Sequence, residues 1–450
     1  MASNDLLARY ADERLPRYTS YPTAPHFTAA VSSPIYREWL ASLPASTPTS
    51  LYVHVPFCRS MCWYCGCHTV ITRKDEPIAD YLTALRREIV AVSDIIGAPP
   101  EVHHIHFGGG TPTIISPEAF HDLVRLLRAH FRVVDGAQIA VEIDPRTLTP
   151  AMAAALGGAG VTRVSFGVQT FDPAVQKAIN RIQSFEQTAT AVVALRAGGV
   201  DGMNFDLIYG LPQQTVQSCI ETVQRCLELR PNRLSVFGYA HVPAFKKHQR
   251  KIVESDLPDS EQRLEQAEAI AAALVSAGYV RIGFDHYALP NDSLQRAQAR
   301  GVLRRNFQGY TADGCAALIG FGASAIGRLP QGYVQNETVI RRYAEQTSQD
   351  GLAAVKGYWL TDDDRLRADI IERLMCDLEV DLGAAGAHGA SSRVLAEAMP
   401  RLQALADEGL VRLEGTRIRM PEKCRMLVRT VASIFDAYLT TSSRTYSRAV

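Results

Sequence analysis

Leu51-Tyr-Val-His-Val-Pro-Phe-Cys58-Arg-Ser-Met-Cys62-Trp-Tyr-Cys65-Gly-Cys67 runs from a short apolar segment straight into four closely spaced cysteines. The apolar segment reads as a buried strand. The cysteines read as ligands, because thiolates are soft donors and close spacing lets one loop wrap a metal centre. The other cysteines, Cys219, Cys226, Cys315, Cys376 and Cys424, are scattered.

Outward from this stretch, short apolar runs alternate with amphipathic ones. Strands are expected at Leu51–Val55, Val102–Phe107, Gln138–Ile143, Arg163–Val168, Met203–Ile208 and Arg233–Phe237, with a seventh at Tyr279–Phe284. Helices are expected at Ala79–Val92, Pro117–Phe131, Phe185–Ala197, Val216–Leu229 and Ser260–Ala277. Sustained βα alternation implies a parallel sheet with helices outside it. Six or more units suit a full or partial (β/α) barrel better than a doubly wound sheet.

Three regions follow. Residues 1–50 form an N-terminal arm, in which Arg17-Tyr-Thr-Ser-Tyr21-Pro-Thr-Ala-Pro25 is extended, since proline disfavours helix just before it. Its tyrosines suit a packed arm as well as a disordered leader. Residues 51–300 form the barrel. Residues 301–450 lose the alternation and form a linker and a helix-rich, winged-helix-like domain. Within it Thr361–Leu439 is mostly helical, Leu410–Met420 looks like a hairpin, and a helix starts at Glu422.

Composition narrows the function. With 47 basic and 47 acidic residues in 450, no global field favours nucleic acid or an acidic membrane surface. The N-terminus lacks a signal-peptide pattern, and no apolar run is long enough to span a bilayer. An odd cysteine count without a disulfide framework fits a reducing compartment. A cytoplasmic protein with no nucleic-acid partner is expected.

Reactive groups in parallel barrels lie on loops at the C-terminal ends of strands. Here the strands end in the cysteine loop, Gly108-Gly-Gly-Thr-Pro112, Glu142-Ile-Asp-Pro145, Gly167-Val-Gln169, Asp206 with Tyr209-Gly-Leu-Pro212, and Tyr239-Ala-His241. Any one could be structural; together they argue for a single site. His54, His104 and His106 alternate with apolar residues and suit packing better than ligation. His241 is a candidate acid.

Zinc fits the cysteines poorly, since structural zinc sites usually pair well-separated knuckles. A ferredoxin-type carrier would use four thiolates in a small domain. A disulfide is disfavoured by compartment. The remaining reading is a 4Fe–4S cluster held by Cys58, Cys62 and Cys65, with one iron left open.

Cys-x-x-x-Cys-x-x-Cys after a first strand resembles the radical S-adenosylmethionine superfamily, whose fold is a partial (β/α)6 barrel. The resemblance extends along the chain to the family of oxygen-independent coproporphyrinogen III oxidases. It is carried by Pro16–Ala24, Tyr52–Cys58, Cys65-Gly-Cys67, Asn180-Arg181, Asn204–Pro212, Arg305–Tyr310 and the strand-end motifs above. It implies that S-adenosylmethionine binds the open iron, with Tyr52, Gly109, Glu142 and Ile326 lining it. It also implies a second S-adenosylmethionine beside Tyr64, Gly110, Thr111, Gln169, Arg181, Asp206 and Ala240. Cys67 matches a family cysteine that is not a cluster ligand.

The implied reaction is radical removal of hydrogen from the β-carbon of a propionate. Loss of carbon dioxide and one further electron then leaves a vinyl group. Two propionates of coproporphyrinogen III react, giving protoporphyrinogen IX in anaerobic haem biosynthesis. A monomer is expected, served by an electron donor such as flavodoxin or ferredoxin. Arg17, Arg304 and Arg305 are candidates for propionate partners or for solvated surface arginines. The rival readings are a haem-trafficking relative, which typically lacks Cys-Gly-Cys and the Arg-Tyr-Thr-Ser-Tyr-Pro arm, and a radical methyltransferase.

Overall fold

The computed structural model describes residues 9, 10, 12–383, 388–439 and 446. Residues 1–8 and 11 of the expected arm, and residues 384–387, 440–445 and 447–450 of the expected C-terminal domain, lie outside that set.

The six expected barrel strands are present: β1 (Thr49–Val55), β2 (Glu101–Gly109), β3 (Arg132–Ile143), β4 (Arg163–Gln169), β5 (Gly202–Tyr209) and β6 (Arg233–Gly238). Each pairs in parallel with the next, so their C-terminal ends share one rim. Crossover helices cover the outside: α1 (Glu76–Ile96), α2 (Pro117–His130), α3 (Pro150–Gly158), α4 (Phe185–Ala197) and α5 (Val216–Glu228), with α6 (Ser260–Ser276) after β6. Their starts follow local chemistry. Ser184, Thr215 and Asp259 each cap a helix in a reciprocal capping box with the residue three positions on. Apolar strand faces and helix stripes meet in one core, with Phe107, Phe120, Phe166 and Phe205 fully buried.

Helix α3 was not anticipated. Its run Ala151-Met-Ala-Ala-Ala-Leu156 is apolar nearly all round and offers no amphipathic stripe to recognise. The seventh strand differs in kind from the expectation. β7 (Val280–Ile282) and β8 (His286–Ala288) form a hairpin that joins β6 in antiparallel fashion, so they extend the sheet edge rather than add a βα unit.

The sheet also continues past residue 300. β9 (Ala317–Phe321) runs parallel to β1, and β10 (Ile326–Leu329), β11 (Gly332–Asn336) and β12 (Ala354–Trp359) add antiparallel strands beyond it. The twelve-stranded order is β12-β11-β10-β9-β1-β2-β3-β4-β5-β6-β8-β7. Helix-rich chain begins at Asp362–Asp377 and His388–Asp407. The expected hairpin is there, Arg412–Glu414 against Arg417–Arg419, with Glu379–Asp381 as a third strand.

The arm is packed. Tyr18 Oη donates to Asp436 Oδ2 at 3.1 Å, and Tyr21 Oη accepts from the Ala437 amide at 3.0 Å. Among the described residues no helix is long and apolar enough to cross a membrane.

One buried carboxyl pins α1 to the sheet. Glu88 accepts from Tyr343 Oη at 2.7 Å, Gly322 N at 2.7 Å and Asn336 Nδ2 at 2.6 Å. Burial pushes its carboxyl up to about 7 from an ordinary 4.5. Its neutral form therefore stabilises the fold, fully below the ordinary value and decreasingly as pH rises through about 7. Glu88→Ala leaves three buried donors unanswered. At about 1–3 kcal/mol for each buried group orphaned, the expected loss is ~3 kcal/mol or more, read as a lower urea midpoint. An unchanged midpoint would show that the network holds nothing together.

Candidate active site

The loop after β1 is framed by a short parallel pair, Phe57–Cys58 with Val70–Ile71. Thr111 Oγ1 lies 3.3 Å from Cys58 Sγ, and Thr69 Oγ1 donates to the same sulfur at 3.4 Å. Cys62 Sγ accepts from Arg181 Nη1 at 3.5 Å and Arg146 Nη2 at 3.6 Å. Cys65 and Cys67 act on one another: the neighbouring Cys67 thiol draws Cys65 down, and Cys65 with burial pushes Cys67 up. All nine cysteines are free thiols.

The loop is held from across the barrel. Lys246 Nζ donates to Cys67 O at 3.0 Å, Gln249 Nε2 donates to Tyr64 O at 3.1 Å, and His248 Nε2 sits 2.8 Å from Cys65 O. Asn180 Nδ2 donates to Met61 O at 2.7 Å.

The second rim element is glycine by necessity. Gly109 has φ +117°, and a Cβ there would stand 2.7 Å from the His54 ring. A Cβ on Gly110 would stand 2.5 Å from Phe57 O. The space a Cβ would need at either position is filled by His54 and Phe57, so only glycine lets this backbone pack against the loop that carries the cysteines. Glu142 Oε2 accepts from Gly109 N at 3.0 Å, and Glu142 Oε1 lies 3.3 Å from His106 Nε2. Burial works against its charge, but these partners hold the carboxyl below its ordinary range.

At the end of β3, Asp144 pairs with Arg146 at 2.6 Å and Arg181 at 3.4 Å. Burial would raise Asp144; Arg146 and Arg181 hold it low. Burial would likewise lower Arg181, but Tyr64, Asp144 and Cys62 outweigh it and raise it. At the end of β4 the register slips between Gly167 and Gln169, and Gln169 adopts φ +68°. That bulge turns Gln169 toward the rim. On β5, Asp206 accepts from Ser165 Oγ and Asn204 Nδ2, both at 2.8 Å, and burial pushes it up to about 6.

These groups enclose a cavity of about 640 Å³. Its wall includes Cys58, Cys62, Tyr64, Cys65, Gly109, Gly110, Thr111, Glu142, Gln169, Arg181, Asp206 and Ala240. Two expected residues stand outside it. Tyr52 lies behind Gly108, stacked on His106 at 5.8 Å, with its hydroxyl 2.9 Å from His54 Nδ1. Ile326 sits on β10, where its carbonyl abuts Gly320, the register partner of Tyr52. His54 is structural: burial lowers it to about 4, and its Nε2 lies 3.0 Å from His68 O. His241 pairs with Glu254 at 3.1 Å and is not among the residues of the wall.

Sequence reasoning did not assign Asp144 and Arg146 to the site, although Asp144 is part of the quoted Glu142-Ile-Asp-Pro145 motif and Arg146 follows it directly. It also missed the Lys246–Gln249 clamp, whose only sequence signal is the basic run after His241.

Comparison with known proteins converges on one family. Residues 52–226 match the radical SAM superfamily, and residues 360–427 match the HemN C-terminal domain. An oxygen-independent coproporphyrinogen III oxidase of Bradyrhizobium diazoefficiens is 58% identical over 99% of both chains. One from Paracoccus denitrificans is 41% identical over 95% of both. The solved structure of the Escherichia coli coproporphyrinogen III oxidase HemN, described as a radical SAM enzyme, superposes with TM-score 0.88 at 37% identity, covering 95% of this chain and 100% of that one. The shared barrel, the cysteine loop on its rim and full-length identity at this level mean that the chain belongs to the oxygen-independent coproporphyrinogen III oxidase family of radical SAM enzymes.

Proposed function

We propose that this chain converts two propionate side chains of coproporphyrinogen III to vinyl groups, giving protoporphyrinogen IX. The observation that carries this reading is the shared cavity, where the four cysteines of one loop, Cys67 among them, line the same space as the glycine, carboxylate and amide groups of four other strand ends. The relatives named above are oxidases, which favours decarboxylation over haem trafficking or methyl transfer.

The residues fit a 4Fe–4S cluster and S-adenosylmethionine. Cys58, Cys62 and Cys65 are soft donors free of disulfides. Arg146 and Arg181 place positive charge on the Cys62 sulfur, and Arg181 Nε is buried without a partner. When bound, these groups supply one-electron cleavage of a carbon–sulfur bond and hence a strong hydrogen-atom abstractor.

The chain's own work is positioning. Gly109 and Glu142 seat a first S-adenosylmethionine, with Tyr52 and Ile326 supporting that wall from behind. Tyr64, Gly110, Thr111, Gln169, Arg181, Asp206 and Ala240 seat a second. Asp206 accepts from ribose hydroxyls and Arg181 answers a carboxylate. The arm and the C-terminal domain close the cavity and keep water out.

Anaerobic turnover tests the reading. Reconstituted, reduced protein given S-adenosylmethionine and coproporphyrinogen III is expected to yield protoporphyrinogen IX, 5′-deoxyadenosine and carbon dioxide. Tight haem binding with no vinyl product would favour trafficking instead.

Ligand assignment has its own check. Cys62→Ser is expected to lose the cluster's iron and visible absorbance, while Cys67→Ser keeps both. Equal loss in the two variants would overturn the three-ligand set.

Asp206 supplies a pH signature. Its carboxyl stays protonated up to about 6, so S-adenosylmethionine affinity measured by equilibrium dialysis should strengthen as pH rises through that value. Asp206→Asn should flatten the profile; an unchanged slope would remove Asp206 from the binding site.

A further inference from the structure

The far side of the cavity carries charge that neither the cluster nor S-adenosylmethionine uses. Arg17, from the arm, lines the cavity alongside Phe237, Gly238 and Phe307. Protein surrounds it, yet its side chain is exposed, because what it faces is the open chamber. It donates to Gly238 O from Nη2 at a long 3.3 Å.

Behind Arg17 stands Arg305, whose side chain is only 4% exposed. Its guanidinium lies over the rings of Tyr310 at 4.5 Å and Phe284 at 5.0 Å, and Nη2 is 3.5 Å from Asp285 Oδ2. Its Nε and Nη1 are buried without hydrogen-bond partners. Asp285 is shared further: its Oδ1 is 2.6 Å from His286 Nδ1, and it also acts on Arg17. One carboxylate thus serves two guanidiniums and an imidazole. Arg429, from the C-terminal domain, holds Leu15 O at 3.2 Å and adds a third guanidinium to the group. The crowding shows in its titration: burial, then Arg17 and Arg305, draw Arg429 down to about 9.

The charge of Arg305, nearly out of reach of water and with two nitrogens unanswered, favours the arrival of an anion beside it. Guanidinium matches a carboxylate in two parallel hydrogen bonds. The cavity beside it is flanked by the aromatic rings of Phe237 and Phe307, suited to the face of a large ring system.

We propose that Arg17, backed by Arg305, is a carboxylate-binding site that holds one propionate of the tetrapyrrole and so sets which part of the macrocycle meets the cysteine side of the cavity. The site rests on the substrate reading above and adds its anchor. It needs the arm, the connector around residues 285–305 and the C-terminal domain together, since each contributes a charged member.

The test uses binding rather than turnover. Coproporphyrin III, the fluorescent oxidised form with four carboxylates, and its neutral tetra-amide are titrated into holoenzyme. Arg17→Ala is expected to weaken coproporphyrin III by about ten- to a hundredfold and the tetra-amide by less than about twofold. Arg17→Lys, which keeps the charge but not the fork, should fall between. Iron content and S-adenosylmethionine affinity should match the parent, which shows that the variants are folded. Undiminished coproporphyrin III binding in Arg17→Ala, or equal loss for both probes, would overturn the arginine site while leaving the substrate reading intact. Parent enzyme that binds neither probe would overturn both.

Discussion

A guanidinium with almost no access to water has to find its counter-charge in the protein, and Arg181 finds it in three places at once. Its nitrogens reach the Cys62 sulfur, the Asp144 carboxylate and the Gly167 carbonyl. Those partners belong to the cysteine loop and to the ends of β3 and β4. Breaking one side of a buried charge cluster typically costs about 3–5 kcal/mol, because the other side is stranded. The loop's position relative to the barrel is therefore set by electrostatics as much as by the short strand at Phe57. Arg146 repeats the motif from the other flank, so Cys62 sits between two cations that share Asp144.

That arrangement exists only because six strands run parallel. Parallel pairing brings Val55, Gly109, Ile143, Gln169, Tyr209 and Gly238 to one rim, and the register slip at Gly167 turns Gln169 into it. Backbone strain at Gln169, with its positive φ, is tolerated where the surrounding contacts over-determine it. Gly167 contributes by being small: a Cβ there would stand 2.9 Å from the Gln169 amide nitrogen and 3.1 Å from Arg181 Nη2.

Much of this was legible in the sequence, and the parts that were not share a cause. Strand period and strand-end residues are local signals; they placed β1, β2 and β4–β6 to within two residues but missed the first six residues of β3, and twelve of the residues named from the motifs and the resemblance line the cavity. Antiparallel β10–β12 break the βα rhythm, with only the helix Ile340–Asp350 between β11 and β12, and their glycines, such as Gly332 and Gly357, serve close backbone approach rather than a readable pattern. The Lys246–Gln249 clamp joins residues about 180 positions apart. Nothing in a period of two or 3.6 reports such a contact. Asp144 and Arg146 were visible as residues, but their role depends on a sulfur 84 positions away from Arg146. Ile326 entered through resemblance alone, and its place behind Gly320 shows support of the wall without a share in it.

Residues 15–21 of the arm pack against residues 429–437, and this contact has a consequence for charge. Around Arg17 the arm is held by Leu15, Tyr18 and Tyr21, with Tyr18 and Tyr21 bonded to residues 436 and 437; further along, Phe27, Val31, Tyr36, Trp39 and Leu40 are buried as well. Fixing a residue's backbone costs about 1–2 kcal/mol, so residues 15–21 draw part of their order from the C-terminal contacts. Arg17 lies between the buried Pro16 and Tyr18, so its guanidinium reaches the cavity only in that packed state. Arg429, seven residues before Asp436, arrives with the same domain. The positive end of the cavity is therefore assembled by tertiary closure, whereas the thiol end is built into the barrel. A ligand that is anionic at one edge and reacts at another would draw both halves together, because Arg17 and Arg305 share the single carboxylate of Asp285.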